Sequence, residues 1–359
     1  MMNNWILYDY LKVNGGAERF VCNYINNQED YKLLVSTIYN NFSLPSYINE
    51  NQLFSLFKNS FASNLFTFLY FNYTKIKYIT NADRVIYNGI YSILSERNQL
   101  IGKKIYYCHT PPRFIYDRKQ EYLNKYNLLS QTILNIFFSI YRKSYERCLD
   151  NMDIILTNSF HMKNIIKKEL KKESHVVYPP IDDRFKWISQ SDYYLSIGRL
   201  EPNKRILLII KAFSKLPDKK LIITSGGSQY NYLKNISEKY SNITITNWIN
   251  DKDLVELIGR AIACIYIPRD EDLGISALEA QKAGKPIISV NEGGLPEIIK
   301  DRETGYLLEK NPSIESLSDA INYMDREESL KMRRSCEEYA SQFNNSNFFK
   351  NMNEYINNI

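Results

Sequence analysis

The sequence predicts an α/β protein built from two doubly wound parallel sheets. Three observations carry this expectation. The chain has 359 residues, long for one hydrophobic core and enough for two. Short runs that are apolar nearly throughout alternate with longer helical patterns, as parallel strands covered on both faces alternate with helices. The alternation breaks once, at the polar stretch YPPIDDRFKWISQSD (178–192), and then restarts.

In the first half, residues 3–9, 31–39, 84–89, 103–109, 153–159 and 174–180 read as buried strands, with helices at Ala17–Asn26 and Leu128–Cys148 among those between them. In the second half, residues 193–200, 219–226, 242–249, 261–268 and 285–290 repeat the pattern. This gives a first domain over 1–182, a linker over 183–192 and a second domain over 193–343. Ligands of such sheets sit beyond the carboxyl ends of the strands, so two such domains facing each other are expected to form a cleft lined from both sides.

The formal net charge of +6 is unevenly spread. Residues 1–180 hold 22 Lys and Arg against 14 Asp and Glu, and the remainder holds 24 against 26. An anionic partner on one side explains this, and so does a lysine-rich solvated surface. Nucleic acid is not the expected partner, because no recognition motif is present and the basic residues are not interleaved with a stacking platform. The five cysteines are odd in number and widely spaced, which reads as free thiols in a reducing compartment. The first ten residues lack the pattern of a signal peptide, and no apolar run reaches the roughly 20 residues of a membrane span. A cytoplasmic location is expected, with any membrane contact at the surface.

Four stretches bear chemistry. PRDEDLGISALEA (268–280) places Glu271 and Glu279 eight positions apart around Gly274. On one helix that spacing is about 12 Å along the axis, too far for the acid–base pair of a glycosidase, whose carboxyls lie roughly 5–9.5 Å apart. A strand–loop–helix reading fits better. Glu271 is then on the loop, Glu279 is inside the helix, and the amides of Leu273, Gly274 and Ile275 sit at a helix N-terminus suited to phosphate. A ligand with hydroxyls at both ends and phosphate in the middle matches that layout; an acidic first turn favoured by the helix dipole is the structural alternative. GRLEPNK (198–204) ends the first strand of the second domain, and Arg199 and Lys204, after Gly198, can neutralise a diphosphate. NGGAER (14–19) follows the first strand of the chain, and Gly15 and Gly16 permit close backbone approach at a helix start, or simply a tight turn. YCHTPPRFIYD (107–117) presents His109 at a sheet edge on a stiff loop, as a site residue or a structural one.

Together PRDEDLGISALEAQKAGKPII, GRLEPNK, GGAER and VNEGGLPEIIKDRETGYLL resemble the family 4 retaining glycosyltransferases of the GT-B fold, in the right order along nearly the whole chain. The resemblance implies two Rossmann-like domains, a nucleotide-sugar co-substrate held mainly by the second, no metal and no further cofactor. It also implies that residues 344–359 form a helix crossing back to the first domain. By the same resemblance, Arg199 and Lys204 hold the diphosphate and Glu279 the ribose hydroxyls. Glu271, with the amides of Leu273, Gly274 and Ile275, holds the sugar hydroxyls. Gly16 approaches the phosphate, His109 lines the sugar site, and Trp248 or Ile249 meets the base. Leu273 stands where the family usually has Phe, and Asp272 where Gly is commoner. HTPPRFIYD, VVYPPID and EDLGISALEAQ are most similar to bacterial surface-polysaccharide mannosyltransferases, which implies GDP-mannose as donor, with UDP-hexoses as the alternative, and a glycan acceptor. An inactive partner subunit of the same fold is the other alternative, and the intact set Arg199, Lys204, Glu271 and Glu279 argues against it.

Residues 53–79 are dense in aromatics and carry Lys58, Lys75 and Lys77 with no acid. HMKNIIKKELKKE (161–173) adds five lysines. We expect these segments to meet an anionic membrane carrying a lipid-linked acceptor; packing of 53–79 inside the first domain is the alternative.

Overall fold

A computed structural model of the chain describes residues 3–12, 15–40, 42, 44–45, 48–57 and 64–359. The chain divides into two units, Met1–Tyr178 with Phe349–Ile359, and Pro179–Phe348.

The strands of the first unit are β1 (Asn4–Tyr8), β2 (Tyr31–Thr37), β3 (Leu53–Phe57), β4 (Arg84–Tyr87), β5 (Lys103–Cys108), β6 (Ile154–Thr157) and β7 (His175–Val176). They form one sheet in the order β3-β2-β1-β4-β5-β6-β7, parallel throughout. Its helices are α1 (Gly16–Asn27), α2 (Asn64–Tyr73), α3 (Lys119–Leu123), α4 (Leu128–Asp150) and α5 (Phe160–Ile165). Local chemistry sets their starts: Asn127 caps α4 by accepting from the Ser130 amide at 2.9 Å, and Ser159 caps α5 by accepting from Met162 at 3.0 Å. The core of this unit is rich in tyrosine. Tyr106 and Tyr145 hydrogen-bond each other at 3.0 Å, and Tyr87 donates to Gln99 at 3.0 Å. Their rings can therefore be fully buried without orphaning a hydroxyl.

The second unit carries β8 (Tyr193–Ser196), β9 (Lys220–Thr224), β10 (Ile243–Asn247), β11 (Cys264–Ile265), β12 (Ile287–Val290) and β13 (Gly305–Leu308), in the order β10-β9-β8-β11-β12-β13, again all parallel. Its helices are α6 (Ile206–Phe213), α7 (Tyr230–Ser237), α8 (Asp251–Arg260), α9 (Ile275–Lys282), α10 (Leu295–Ile298), α11 (Ile314–Tyr323) and α12 (Arg326–Ala340). α13 (Asn345–Asn357) closes the chain, and from Phe349 onward its residues group with the first unit, where Phe349 meets Tyr24 at 5.3 Å between ring centroids. In each sheet the strand order reverses beside its first strand, between β1 and β4 and between β8 and β11. Those are the switch points where such sheets bind ligands.

Three expectations need correction. Residues 183–192 are not a free linker but part of the second unit. The amides of Ile188 and Ser191 donate to Gly259 and Arg260 carbonyls at 3.0 and 2.7 Å. Phe185 is buried, and Trp187 is flanked by Lys285 and Arg333. The aromatic residues in this otherwise polar stretch give it an apolar anchor. Residues 53–57, taken with the apolar stretch that follows, instead form the edge strand β3 on β2. Lys58 and the rest of 58–63 lie outside the described residues. α2 is half core, burying Phe68 and Phe71 while Leu65 and Leu69 stay exposed, so neither all-core nor all-lipid describes it. The lysines of 161–173 are partly neutralised: Lys167 pairs with Glu173, Lys168 with Glu169 and Lys172 with Asp150. All five cysteines are buried and free.

Candidate active site

The second unit gathers its chemistry at the carboxyl ends of β8 and β11. β8 runs out through Gly198 to Arg199, whose side chain is exposed. Two neighbouring glycines fix this exit. Leu200 donates to the Gly226 carbonyl at 2.9 Å, and a Cβ on Gly227 would stand 2.5 Å from the Leu200 oxygen. Ser228 adds two hydrogen bonds to Glu201, from its amide at 3.0 Å and its hydroxyl at 2.6 Å. The loop carrying Arg199 is thereby pinned to the end of β9, and its guanidinium lies in an exposed position free to meet an anion.

Lys204 ends a single turn, Pro202–Lys204, and is buried. Its ammonium donates to Glu271 Oε2 at 2.6 Å and to the Tyr266 hydroxyl at 2.9 Å. Burial and the Glu271 carboxylate raise the Tyr266 pKa well above its ordinary value, so this phenol stays protonated. Lys204 and Glu271, expected to hold different parts of a ligand, are thus brought together as one ion pair at the rim of the sheet. The third N–H of Lys204 is left over for another acceptor.

Glu271 is aimed by its own backbone. The Gly294 amide donates to the Glu271 carbonyl at 2.8 Å, and a Cβ on Gly293 would come within 2.3 Å of that oxygen. Gly274 begins α9 with φ 99°, a left-handed conformation that suits glycine, and no side chain caps the helix there. The first amides of α9, Ile275 among them, lack intrahelical partners by construction. Leu273 is buried, and so is Glu279 on α9. Trp248 lies exposed past β10, its indole nitrogen so close that a Cβ on Gly226 would approach it to 2.3 Å, and Ile249 follows half-buried.

Sequence reasoning missed the group that ties these loops together. Arg205, left-handed at φ 55°, buries its guanidinium and donates to the carbonyls of Ile267 and Pro268 at 3.3 Å and of Lys310 at 2.9 Å, and to Glu292 Oε2 at 3.1 Å. One side chain thus cross-links the acidic loop, the NEGG stretch and the end of β13. Burial lowers its pKa, with Glu292 opposing that shift. The signal was present in GRLEPNKR and VNEGG, as a charged residue beside each motif, but its partner is remote in sequence.

The first unit has its own set at the carboxyl ends of β1, β4 and β5. Gly15 caps α1 in extended backbone that any residue adopts, and the exposed Gly16 opens the helix. His109 is half-buried between Phe20 and Tyr107, each 4.9 Å away by ring centroid. Its Nε2 is 3.0 Å from Asn88 Oδ1. Burial lowers its pKa to about 3, so the ring is neutral; with Nε2 donating to Asn88, Nδ1 carries the lone pair. Asp9, also missed, accepts from the amides of Ile90, Tyr91 and Ser92 at 3.1, 2.9 and 2.7 Å, and burial raises its pKa to about 6.

The family described as "Glycosyl transferases group 1" matches residues 179–343, the stretch that carries Arg199, Lys204, Glu271 and Glu279. The second unit, where the match lies, is similar to this family. The chain resembles alpha-1,3/1,6-mannosyltransferase ALG2 of Dictyostelium discoideum, with 27% identity over 270 residues, 62% of this chain and 61% of that protein. The chain spans about half to three fifths of the curated relatives it matches, 61%, 56% and 51% in three of them. Among solved structures, sucrose-phosphate synthase (tll1590) of Thermosynechococcus elongatus has a TM-score of 0.78 at 14% identity, covering 99% of this chain and 98% of that one. Alr3699/HepE of Anabaena, solved with UDP-glucose, has a TM-score of 0.73 at 12% identity, covering 99% and 100%. At these identities the structures show the fold: the chain has the two Rossmann-like units of GT-B proteins.

Proposed function

We propose that this chain is a retaining, metal-independent hexosyltransferase that moves mannose from GDP-mannose to a glycan acceptor, lipid-linked, in the synthesis of a bacterial surface polysaccharide or glycan. One observation carries the reading: the exposed Arg199, the Lys204–Glu271 pair and the uncapped start of α9 converge at the β8/β11 switch point. That set offers two cations and free amides to a diphosphate and a carboxylate to sugar hydroxyls. As the nucleoside diphosphate leaves, negative charge builds on its oxygens, and Arg199, Lys204 and the α9 amides stabilise it. The departing phosphate oxygen takes the proton of the acceptor hydroxyl on the same face, so configuration is retained. Glu279 holds the ribose, Trp248 or Ile249 the base. Gly15 and Gly16 and the neutral His109 of the first unit serve phosphate and sugar.

Mannose is supported by the mannosyltransferase activity for which the ALG2 relatives are named and by the motifs that resemble mannosyltransferases. A UDP-hexose donor is the second reading, favoured by the UDP-glucose bound in the similar Anabaena structure. Among the described residues no helix is long and apolar enough to cross a membrane, and we place the enzyme peripherally on the inner face of the cell membrane. A thermal-shift panel of nucleotide sugars tests the donor, because a ligand of the folded state raises the melting temperature by mass action. GDP-mannose should give the largest shift. Product NMR should then show a retained anomer, and activity should survive EDTA. An inverted product, or activity lost in EDTA and restored by Mn²⁺, sinks the mechanism.

A further inference from the structure

We propose that Asn88 is a positioning residue of the transfer site, holding His109 in a single tautomer with its Nδ1 lone pair open to a substrate hydroxyl. The proposal deepens the preceding reading, in which His109 serves the sugar, and rests on it for its purpose. Its geometry lies wholly in the first unit.

Asn88 follows β4, and its backbone has little room to shift. Its amide donates to the Leu7 carbonyl of β1 at 2.8 Å. The turn after it is held by Asp9, which accepts from the amides of Ile90, Tyr91 and Ser92. Gly89 lets that carboxylate in, for a Cβ there would stand 2.1 Å from Asp9 Oδ1. From this fixed stretch the Asn88 Oδ1 reaches His109 Nε2 at 3.0 Å. Phe20 of α1 and Tyr107 of β5 stand edge-on to the His109 ring, and Tyr107 is itself tied by its hydroxyl to the Val177 carbonyl at 2.7 Å. Packing sets the plane of the imidazole, and Asn88 addresses its nitrogen.

Two features separate this arrangement from packing alone. Asn88 is 2% exposed, yet its Nδ2 has no partner among the described residues. A buried amide left half-paired costs stability, and such a group calls for a role at a site. The other feature is His109 Nδ1, which has no partner among the described residues and, unlike Asn88 Nδ2, is not sealed from solvent. A neutral imidazole already favours its proton on Nε2. With Asn88 Oδ1 accepting that proton, Nδ1 is an acceptor only. It takes a hydrogen bond from a hydroxyl and gives none to a phosphate oxygen, so it orients a sugar without adding charge. Burial keeps the ring neutral, and no charged group contributes to that. Asn88 is too buried to reach the substrate, so it acts through His109.

The test is long-range proton–nitrogen NMR of the three histidines, with His109 assigned by its loss in His109→Gln. The parent should show a neutral His109 ring protonated on Nε2. Asn88→Ala should mix the two tautomers and lower kcat/KM about tenfold. Asn88→Asp keeps an acceptor oxygen, so it should keep the Nε2 proton. Its carboxylate should also draw the ring into its charged form as pH falls from about 8 to 5, where the parent ring stays neutral. A role in folding alone moves none of these readouts, and Asn88→Asp, of the same shape, carries the test if the alanine variant does not fold. A parent ring protonated on Nδ1, an Asn88→Ala variant with unchanged tautomer and kcat/KM, or an Asn88→Asp ring that titrates like the parent overturns the proposal. The spectra need no turnover, so they decide it even if no nucleotide sugar shifts the melting temperature, an outcome that sinks the transferase reading instead.

Discussion

Lys204 commits two of its three donors to Glu271 and Tyr266, whereas the guanidinium of Arg199 is exposed. The two cations are therefore not equivalent. Arg199 is positioned to follow charge as it grows on a leaving group, and Arg199→Ala should lower kcat by roughly 10²-fold or more. Glu279→Ala should instead mainly weaken donor binding, since a ribose contact is the same before and during the reaction. Steady-state kinetics on both variants separate these outcomes, and near-normal turnover for Arg199→Ala counts against its role. Arg205 belongs to the scaffold. Its side chain and that of Glu292 keep 6% and 7% of their surface, so removing Arg205 leaves the buried Glu292 only the exposed Lys310 ammonium at 3.7 Å. Arg205→Ala should cost about 3–5 kcal/mol in denaturant unfolding, and Arg205→Met with Glu292→Leu should cost much less. The sequence showed Arg199, Lys204 and Glu271 because their motifs are local. It hid Arg205–Glu292 because those residues are 87 positions apart and only the packed loops bring them together.

At the scale of elements, most of the strands were legible because each is a short apolar run bounded by turn residues. β3 was not: LFSLF precedes an apolar helix, and a short apolar run has no period of its own to separate the two. β13, GYLL, was too short to register. The start of α9 was legible through Gly274, but the loop that holds the acidic stretch in place was not, because what matters at Gly293 is a missing Cβ. Gly293→Ala would put that carbon 2.3 Å from the Glu271 oxygen at a residue with φ 67°. The loop must move, and Glu271 with it. We expect kcat/KM to fall by more than tenfold, about 1.4 kcal/mol in transition-state binding, while circular dichroism stays that of the parent. Unchanged kinetics for Gly293→Ala would show that the placement of Glu271 does not limit the reaction.

For the whole molecule, the break in the apolar pattern near 178–192 located the division into two units to within a few residues, because each sheet needs its own run of strands. The charges buried inside each unit were not legible, and they set how the protein responds to acid. His109 titrates near 6.5 when unfolded and at about 3 in the fold. Between those values the unfolded chain binds more protons, so stability present above pH 6.5 is lost as pH falls toward 3. Asp9 has the opposite sign. Its pKa rises from 3.8 to about 6, so its contribution is fully present below 3.8 and is lost as pH rises through about 6. Both act on the first unit between about pH 4 and 6, and the larger displacement belongs to His109. Acidification across that window should therefore destabilise the parent. In His109→Gln the opposing group is gone and Asp9 remains, so the loss of stability on acidification should shrink by a few kcal/mol. In Asp9→Asn it should grow, because only the histidine is left. Denaturant midpoints of the parent and the two variants, taken at the two ends of the window, give the differences directly; the remaining carboxylates are common to all three proteins and cancel. Variants that shift the acid response in the same direction would mean that these two groups do not control it.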